Sequence, residues 1–182
     1  MARIKVVEPE QASPDIKEIY DKKLGGKPAN VHKALAQRPE IFKAFLSFYP
    51  AVGKGFDKRL YELVYIRVSM LNRCGYCMQH HISSSKKAGL TTQDWNALSS
   101  PASANFSDKE KAALAFAEKL TRAPWDINDR DIAALKQHFS DAEIVELDLL
   151  VGLINLTNRF TAPLALELEF PEEKIATSSA AD

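Results

Sequence analysis

The sequence has little cysteine, little glycine and no net charge. Two of its 182 residues are cysteine and 7 are glycine, while 24 Lys and Arg balance 24 Asp and Glu. A secreted disulfide scaffold would need more cysteine. A global preference for nucleic acid or anionic membranes would need a basic excess. We therefore expect a globular protein that binds neither nucleic acid nor membranes.

Long apolar runs and strand patterns are also scarce. Glu62, Arg67 and Asp148 interrupt the most apolar stretches, so we expect no transmembrane helix. Residues 1–16 show no apolar core of a secretory signal, and we expect a cytoplasmic protein. An alternating β-branched pattern is confined to residues 4–7, which we interpret as an N-terminal arm.

Helical periodicity covers most of the chain and predicts an all-α, single-domain bundle of about eight helices. Asp57 is a candidate N-cap for a helix that reaches about Leu71. Ser107 and Ser140 each begin an S-x-x-E capping box.

The ends of the chain are expected to differ from its centre. Residues 1–37 are interpreted as an arm with helices, forming an accessory or interface segment, and residues 38–170 as the main helical domain. The last long helix is expected over Asp141–Phe160, with Pro163 ending it. Residues 171–182 are expected to form a flexible tail.

Both cysteines lie within four residues, Cys74-Gly75-Tyr76-Cys77, at the predicted start of a helix. This spacing puts the sulfurs within disulfide reach and near unpaired N–H groups that stabilise a thiolate. The helix dipole contributes only about 0.3–1 kcal/mol, so a reactive thiol needs a neighbouring base or cation. The pair indicates redox or metal chemistry.

Helical spacing supplies candidates for that base. His81 follows Cys77 by four residues and shares its helix face, and His80 competes for the role. Glu62 lies twelve residues before Cys74, among apolar neighbours on the preceding helix. If the two helices pack together, Glu62 can orient a histidine. A Glu–His–Cys relay can then move a proton off a thiol.

Structural alternatives stand beside these candidates. Glu62 can also be a solvent-facing residue or a partner of Arg59 or Arg67, and His81 can be a core histidine. A zinc site would need about four ligands, and a c-type haem would need histidine in place of Met78.

Other polar and aromatic residues receive structural interpretations. His80 is interpreted as a surface or pocket-rim residue, and Arg73 beside Cys74 is interpreted as solvated. The aromatic residues taken as core or interface are Tyr61, Tyr65, Trp95 and Trp125. A buried polar network or a subunit contact is expected at Asn155, Asn158 and Arg159.

Glu62, the Cys74-x-x-Cys77 pair and His81 together resemble the signature of the alkylhydroperoxidase D-like branch of the carboxymuconolactone decarboxylase family. The resemblance covers roughly residues 38–160. It implies an all-helical fold, homo-oligomers built as trimers or hexamers, and thiol-dependent reduction of hydrogen peroxide or organic hydroperoxides. It also implies that Cys77 attacks the peroxide, that Cys74 resolves the product, and that Glu62 and His81 form the proton relay.

The resemblance further implies a cycle without a bound cofactor or metal. A thiolate is oxidised to a sulfenic acid, which the second thiol captures as a disulfide. A lipoyl or thioredoxin-like dithiol carrier then reduces the disulfide by exchange. Some family members carry a second histidine between the cysteines, where this chain has Tyr76.

Two other functions stay open at this point. One is a redox-sensing or disulfide-exchange oligomer without significant peroxidase turnover. The other is lactone decarboxylase-like chemistry, although the members that perform it, as the resemblance implies, do not depend on a CxxC pair.

Overall fold

The computed structural model describes residues 2–173, and the regular secondary structure in this range is helical, with no β-strand. The all-α prediction is confirmed, with nine α-helices in the described range against the expected number of about eight. None of them combines the length and apolarity that a bilayer span requires. The helices are α1 (Pro14–Lys23), α2 (Asn30–Leu35), α3 (Pro39–Phe48), α4 (Lys58–Leu71), α5 (Gly75–Lys87), α6 (Thr92–Ala97), α7 (Asp108–Arg122), α8 (Asp129–Leu135) and α9 (Asp141–Leu164).

Polar caps begin the helices that carry and support the site. The side chain of Asp57 accepts a hydrogen bond from the Leu60 N–H at 2.9 Å and starts α4. Ser107 and Ser140 form the predicted capping boxes at the starts of α7 and α9. An N-cap of this kind contributes about 1 kcal/mol to helix stability.

The end of α9 corrects the sequence prediction. Pro163 does not end the helix, which continues to Leu164 with the proline inside its last turn. At that position the missing N–H removes only the hydrogen bond to the carbonyl of Arg159, an exposed residue. Ala165 ends the helix with φ of 50°. The arm residue Arg3 donates to the carbonyl oxygens of Pro163 and Leu164, both at 2.9 Å.

Helices α4, α5, α7 and α9 pack around the main apolar core. Both cysteines belong to this core, because Cys74 and Cys77 are packed among apolar side chains of α4, α7 and α9. Helices α1 to α3 hold a second apolar cluster around Ile16, Tyr20 and Phe42. The N-terminal segment is therefore folded against the rest of the chain and has an apolar cluster of its own.

The turn between α4 and α5 is fixed by a polar network with α9. Asn72 Nδ2 donates to Oδ1 of Asn155 at 2.9 Å and of Asn158 at 3.0 Å. Asn158 Nδ2 donates to Ser69 Oγ at 3.2 Å. The network predicted at Asn155 and Asn158 is confirmed, whereas Arg159 is exposed and lies outside it. This anchoring holds the start of α5, and with it the CxxC pair, against α9.

The C-terminal segment folds back onto α5. Gln79 donates from Nε2 to the Glu173 carbonyl at 3.0 Å and accepts from the Glu173 N–H at 2.9 Å. Glu173 also forms an ion pair with Lys86. Glu173 of the predicted tail thus contacts α5, and residues 174–182 lie outside the described residues.

Candidate active site

The two cysteines occupy the first turn of α5, as the sequence predicts. Cys74 is the N-cap of the helix, and its sulfur accepts the Cys77 N–H at 3.3 Å. The sulfurs form a disulfide, with the two Cα atoms 5.3 Å apart. Cys74 is 1% exposed and Cys77 is 4% exposed. The pair is therefore joined, buried and adjacent to the positive end of a helix.

A threonine from α9 contacts both sulfurs. The hydroxyl oxygen of Thr161 lies 3.2 Å from the Cys74 sulfur and 3.2 Å from the Cys77 sulfur. Thr161 is 2% exposed, and its hydroxyl also donates to the Thr157 carbonyl at 3.0 Å. No pattern in the sequence points to this residue, which lies far along the chain from the CxxC pair. A buried hydroxyl can donate to either sulfur by rotating about its C–O bond.

The structure brings Glu62 and His81 together. Glu62 on α4 is 6% exposed, and its Oε2 lies 2.8 Å from Nδ1 of His81 on α5. The alternative partners of Glu62 are engaged elsewhere: Arg59 pairs with Asp94 and Glu110, and Arg67 pairs with Glu118. The interpretation of Glu62 as a surface residue is therefore wrong. A carboxylate on Nδ1 fixes the ring and leaves Nε2 for a reacting group.

Tyr65 supports the His81 ring from α4. The two rings stack with centroids 3.4 Å apart and planes 16° apart. The Tyr65 hydroxyl lies 3.4 Å from Thr157 Oγ1 and 3.4 Å from the Tyr49 hydroxyl. Burial raises the pKa of Tyr65 above its ordinary value. Tyr65 was predicted to be a core residue, and it also lines the site; its place three residues after Glu62 was the available signal.

Cys77 and His81 open into one cavity of about 460 Å³. Tyr65, His80 and Thr161 line the same space. Much of the remaining lining is apolar and comes from residues 24–50, through Leu24, Ala29, Val31, Phe45, Leu46, Tyr49 and Pro50, beside the polar Lys23 and His32. Cys74 and Glu62 do not line the cavity. The N-terminal helices therefore form the cover of the cysteine site.

A second histidine–carboxylate pair lies beside the first. His80 Nε2 is 2.9 Å from Glu169 Oε2, and the Tyr76 hydroxyl donates to Glu169 Oε1 at 2.9 Å. Burial opposes ionisation of Glu169, but hydrogen bonds from His80, the Asn30 N–H and Tyr76 lower its pKa to about 2. Burial is the main reason why the pKa of Tyr76 is raised above its ordinary value, and the negative charge of Glu169 raises this pKa further. Tyr76, which stands between the cysteines, therefore holds the C-terminal segment onto α5.

The other aromatic predictions have mixed outcomes. Tyr61 packs against the core, and burial raises its pKa to about 12. Trp95 is buried and donates from Nε1 to Ser85 at 3.2 Å. Trp125 is 78% exposed, so its interpretation as a core residue is wrong and only a role at an interface stays a prediction. Over residues 2–173, no group of three or more His, Cys, Asp or Glu side chains is arranged to hold a metal ion.

Comparison with known proteins identifies the family. A model of the carboxymuconolactone decarboxylase family matches residues 39–119, which include Glu62, both cysteines and His81. The chain belongs to this family. It is 34% identical over 102 residues to the uncharacterized protein YdfG of Bacillus subtilis, a match that covers 55% of this chain and 69% of YdfG.

Solved structures related to this carboxymuconolactone decarboxylase family member share its fold. A peroxidase-related protein of Ralstonia eutropha JMP134, described as an alkylhydroperoxidase AhpD core, superposes with a TM-score of 0.80 at 24% identity over 92% of both chains. A peroxidase-related protein of Silicibacter sp. TM1040 gives 0.74 at 26% identity, again over 92% of both chains. The CxxC pair and these neighbours identify the alkylhydroperoxidase D-like branch.

The fold also supports other chemistry. The debrominase Bmp8, in complex with 2,3,4-tribromopyrrole, superposes with a TM-score of 0.75 at 18% identity over 93% of this chain and 94% of Bmp8. This likeness concerns the fold alone, because fold similarity does not define the reaction. The function of this family member must be argued from its own cysteine site.

Proposed function

We propose that the protein is a thiol peroxidase that reduces organic hydroperoxides through a Cys74–Cys77 dithiol/disulfide cycle. The observation that carries this proposal is that Cys77 and His81 line one cavity, while Oε2 of the buried Glu62 lies 2.8 Å from Nδ1 of the His81 imidazole. A cysteine and an oriented base at one cavity are the parts that thiol-based nucleophilic catalysis needs.

The cavity supports different roles for the two sulfurs. Cys77 lines the cavity, so an entering hydroperoxide reaches its sulfur first. Cys74 does not line the cavity, and its sulfur accepts a backbone N–H of the helix start. In the proposed cycle Cys77 is therefore the attacking residue and Cys74 the resolving residue.

The reaction balances without a bound cofactor. His81 takes the proton of the Cys77 thiol, the resulting thiolate attacks the terminal peroxide oxygen, the O–O bond breaks, and the departing alkoxide takes that proton back from His81. Cys77 becomes a sulfenic acid and the substrate becomes an alcohol. The Cys74 thiolate then attacks the Cys77 sulfur, and the hydroxyl group leaves as water after protonation. Glu62 stabilises the imidazolium whenever His81 holds the proton.

An external dithiol closes the cycle. Its thiolate attacks the disulfide, forms a mixed disulfide and is itself oxidised when its second thiol releases the reduced protein. A lipoyl or thioredoxin-like carrier has the required pair of thiols. Both the carrier and assembly into trimers or hexamers are proposals that rest on the family resemblance.

The apolar cover of the cavity predicts a preference among hydroperoxides. Leu24, Phe45 and Leu46 line the cavity. Contact between these side chains and an alkyl or aryl group stabilises a bound organic hydroperoxide, whereas hydrogen peroxide has no such group. We expect kcat/KM for cumene hydroperoxide to exceed that for hydrogen peroxide by about tenfold or more. The assay measures loss of each peroxide by the full chain with dihydrolipoamide as the reductant.

A matched variant separates binding from chemistry. Leu46→Ala should reduce kcat/KM for cumene hydroperoxide and leave that for hydrogen peroxide close to wild type. Equal values for both substrates in the wild type would contradict the substrate preference. Absence of turnover with both would contradict the peroxidase itself. Disulfide exchange without turnover would favour the redox-sensing alternative, and conversion of a lactone acid would favour decarboxylase chemistry.

A further inference from the structure

We propose that Thr161 is a catalytic residue of the cysteine site, where its hydroxyl donates a hydrogen bond to whichever of Cys74 and Cys77 is a thiolate. The proposal deepens the proposed function, since it names a further residue of the same site. It rests on the position of one hydroxyl oxygen 3.2 Å from both sulfurs, inside a buried environment.

The hydroxyl has one hydrogen and four acceptors within reach: the two sulfurs, the Thr157 carbonyl and, at 3.4 Å, the Asn158 carbonyl. In the disulfide state the hydrogen is directed at the Thr157 carbonyl, 3.0 Å away, because disulfide sulfur is a poor acceptor. That carbonyl also accepts the Thr161 N–H in the helix, so it keeps a partner when the hydroxyl turns away. When the disulfide is reduced, a thiolate becomes the strongest acceptor beside the hydroxyl. Rotation about the C–O bond then transfers the hydrogen bond to sulfur without moving α9.

This contact acts on the step that opens the disulfide. When the attacking dithiol bonds to the Cys77 sulfur, the S–S bond breaks and the Cys74 sulfur leaves as a thiolate. The developing charge meets two donors, the Cys77 N–H at 3.3 Å and the Thr161 hydroxyl at 3.2 Å. A sulfur whose thiolate is stabilised leaves faster. No proton is transferred to or from Thr161, which stays a neutral donor throughout.

The contact also favours the reduced form of the protein. A charge-assisted hydrogen bond is available to the thiolate and not to the disulfide, so its removal destabilises only the reduced state. Thr161→Val replaces the hydroxyl with a methyl group of similar size. Other groups that bear on the thiols, His81 with Glu62 and His80 with Glu169, are unchanged by this substitution.

The test uses the full chain and dithiothreitol, without any hydroperoxide. In Thr161→Val we expect the rate constant for disulfide reduction to fall about tenfold and the lower thiol pKa to rise by about one unit. A tenfold change in the reduction equilibrium lowers the potential by about 30 mV. The thiol pKa values are obtained from the pH dependence of alkylation by iodoacetamide. The rate of reduction is measured as the disappearance of the disulfide.

Two variants control the interpretation. Thr161→Ser keeps a hydroxyl and should stay within about twofold of wild type in both measurements. Ser85→Ala removes a different buried hydroxyl, which lies on α5 and donates to the Ile82 carbonyl at 2.9 Å. This substitution should leave the reactivity of the thiols unchanged. Wild-type behaviour of Thr161→Val, or equal losses in Thr161→Val and Thr161→Ser, would overturn the proposal. Because no hydroperoxide is used, failure of the peroxidase proposal would be seen separately in the turnover assay.

Discussion

Cys77→Ser is expected to lower hydroperoxide turnover to the rate of the reductant alone. Cys77 is the cysteine that lines the cavity, and a serine hydroxyl is not ionised at neutral pH and does not attack the peroxide bond. Cys74→Ser is expected to stop the cycle one step later, because Cys77 can still be oxidised but no second sulfur captures the sulfenic acid.

The two serine variants therefore differ in a direct readout. Wild type, Cys77→Ser and Cys74→Ser are reduced, freed of reductant and treated with one equivalent of cumene hydroperoxide. A sulfenic acid reagent such as dimedone should label Cys74→Ser at Cys77 and should not label Cys77→Ser. Labelling of Cys74 in Cys77→Ser would reverse the assigned roles. Unchanged turnover in both variants would remove the cysteines from the reaction altogether.

Glu62→Gln is expected to lower kcat/KM for cumene hydroperoxide by about a hundredfold. Positioned acid–base groups contribute roughly 10²–10⁴-fold, and the amide keeps the size of the side chain but not its charge. It still hydrogen-bonds Nδ1 of His81, whereas an imidazolium loses the buried anion 2.8 Å away. The measurement compares kcat/KM for cumene hydroperoxide between Glu62→Gln and the wild type at neutral pH, with dihydrolipoamide as the reductant.

Glu169→Gln is the matched control for this effect. It alters a second histidine–carboxylate pair, because Oε2 of Glu169 lies 2.9 Å from Nε2 of His80. His80 directly precedes His81 in the chain. Glu169 holds the C-terminal segment and does not line the cavity, so turnover should stay within about threefold of wild type. A loss in Glu169→Gln that equals the loss in Glu62→Gln would show that charge near α5, rather than the Glu62–His81 pair, controls the rate.

The sequence was sufficient where the relevant distances are short along the chain. Glu62 and His81 lie almost equally far from the turn at Asn72, so antiparallel packing of the two helices brings them to the same level, and they meet when both face the partner helix. The polar caps at Asp57, Ser107 and Ser140 were equally visible, because a cap depends on residues within one helical turn. For the same reason the cysteine pair was correctly placed at the start of α5.

The residues that the sequence did not reveal are joined by tertiary packing. Thr161 on α9 contacts the two sulfurs, and Glu169, which follows α9 in the chain, contacts His80. Neither contact has a fixed spacing in the sequence. Burial of Glu62 depends on neighbours from another helix, which left its interpretation as a surface residue open. Pro163 was expected to end α9, but the rule applies to helix interiors and has little force in a last turn.

A single-turnover titration of the fully reduced chain tests the central claim most directly. Cumene hydroperoxide is added in increments without reductant, and the products are measured by mass spectrometry of the peptide that carries both cysteines and by chromatography of the alcohol. We predict one Cys74–Cys77 disulfide and one molecule of alcohol for each hydroperoxide consumed, up to one equivalent per chain. Hydroperoxide that persists beside a reduced pair, or thiols that are lost without an equal yield of alcohol, would contradict this account.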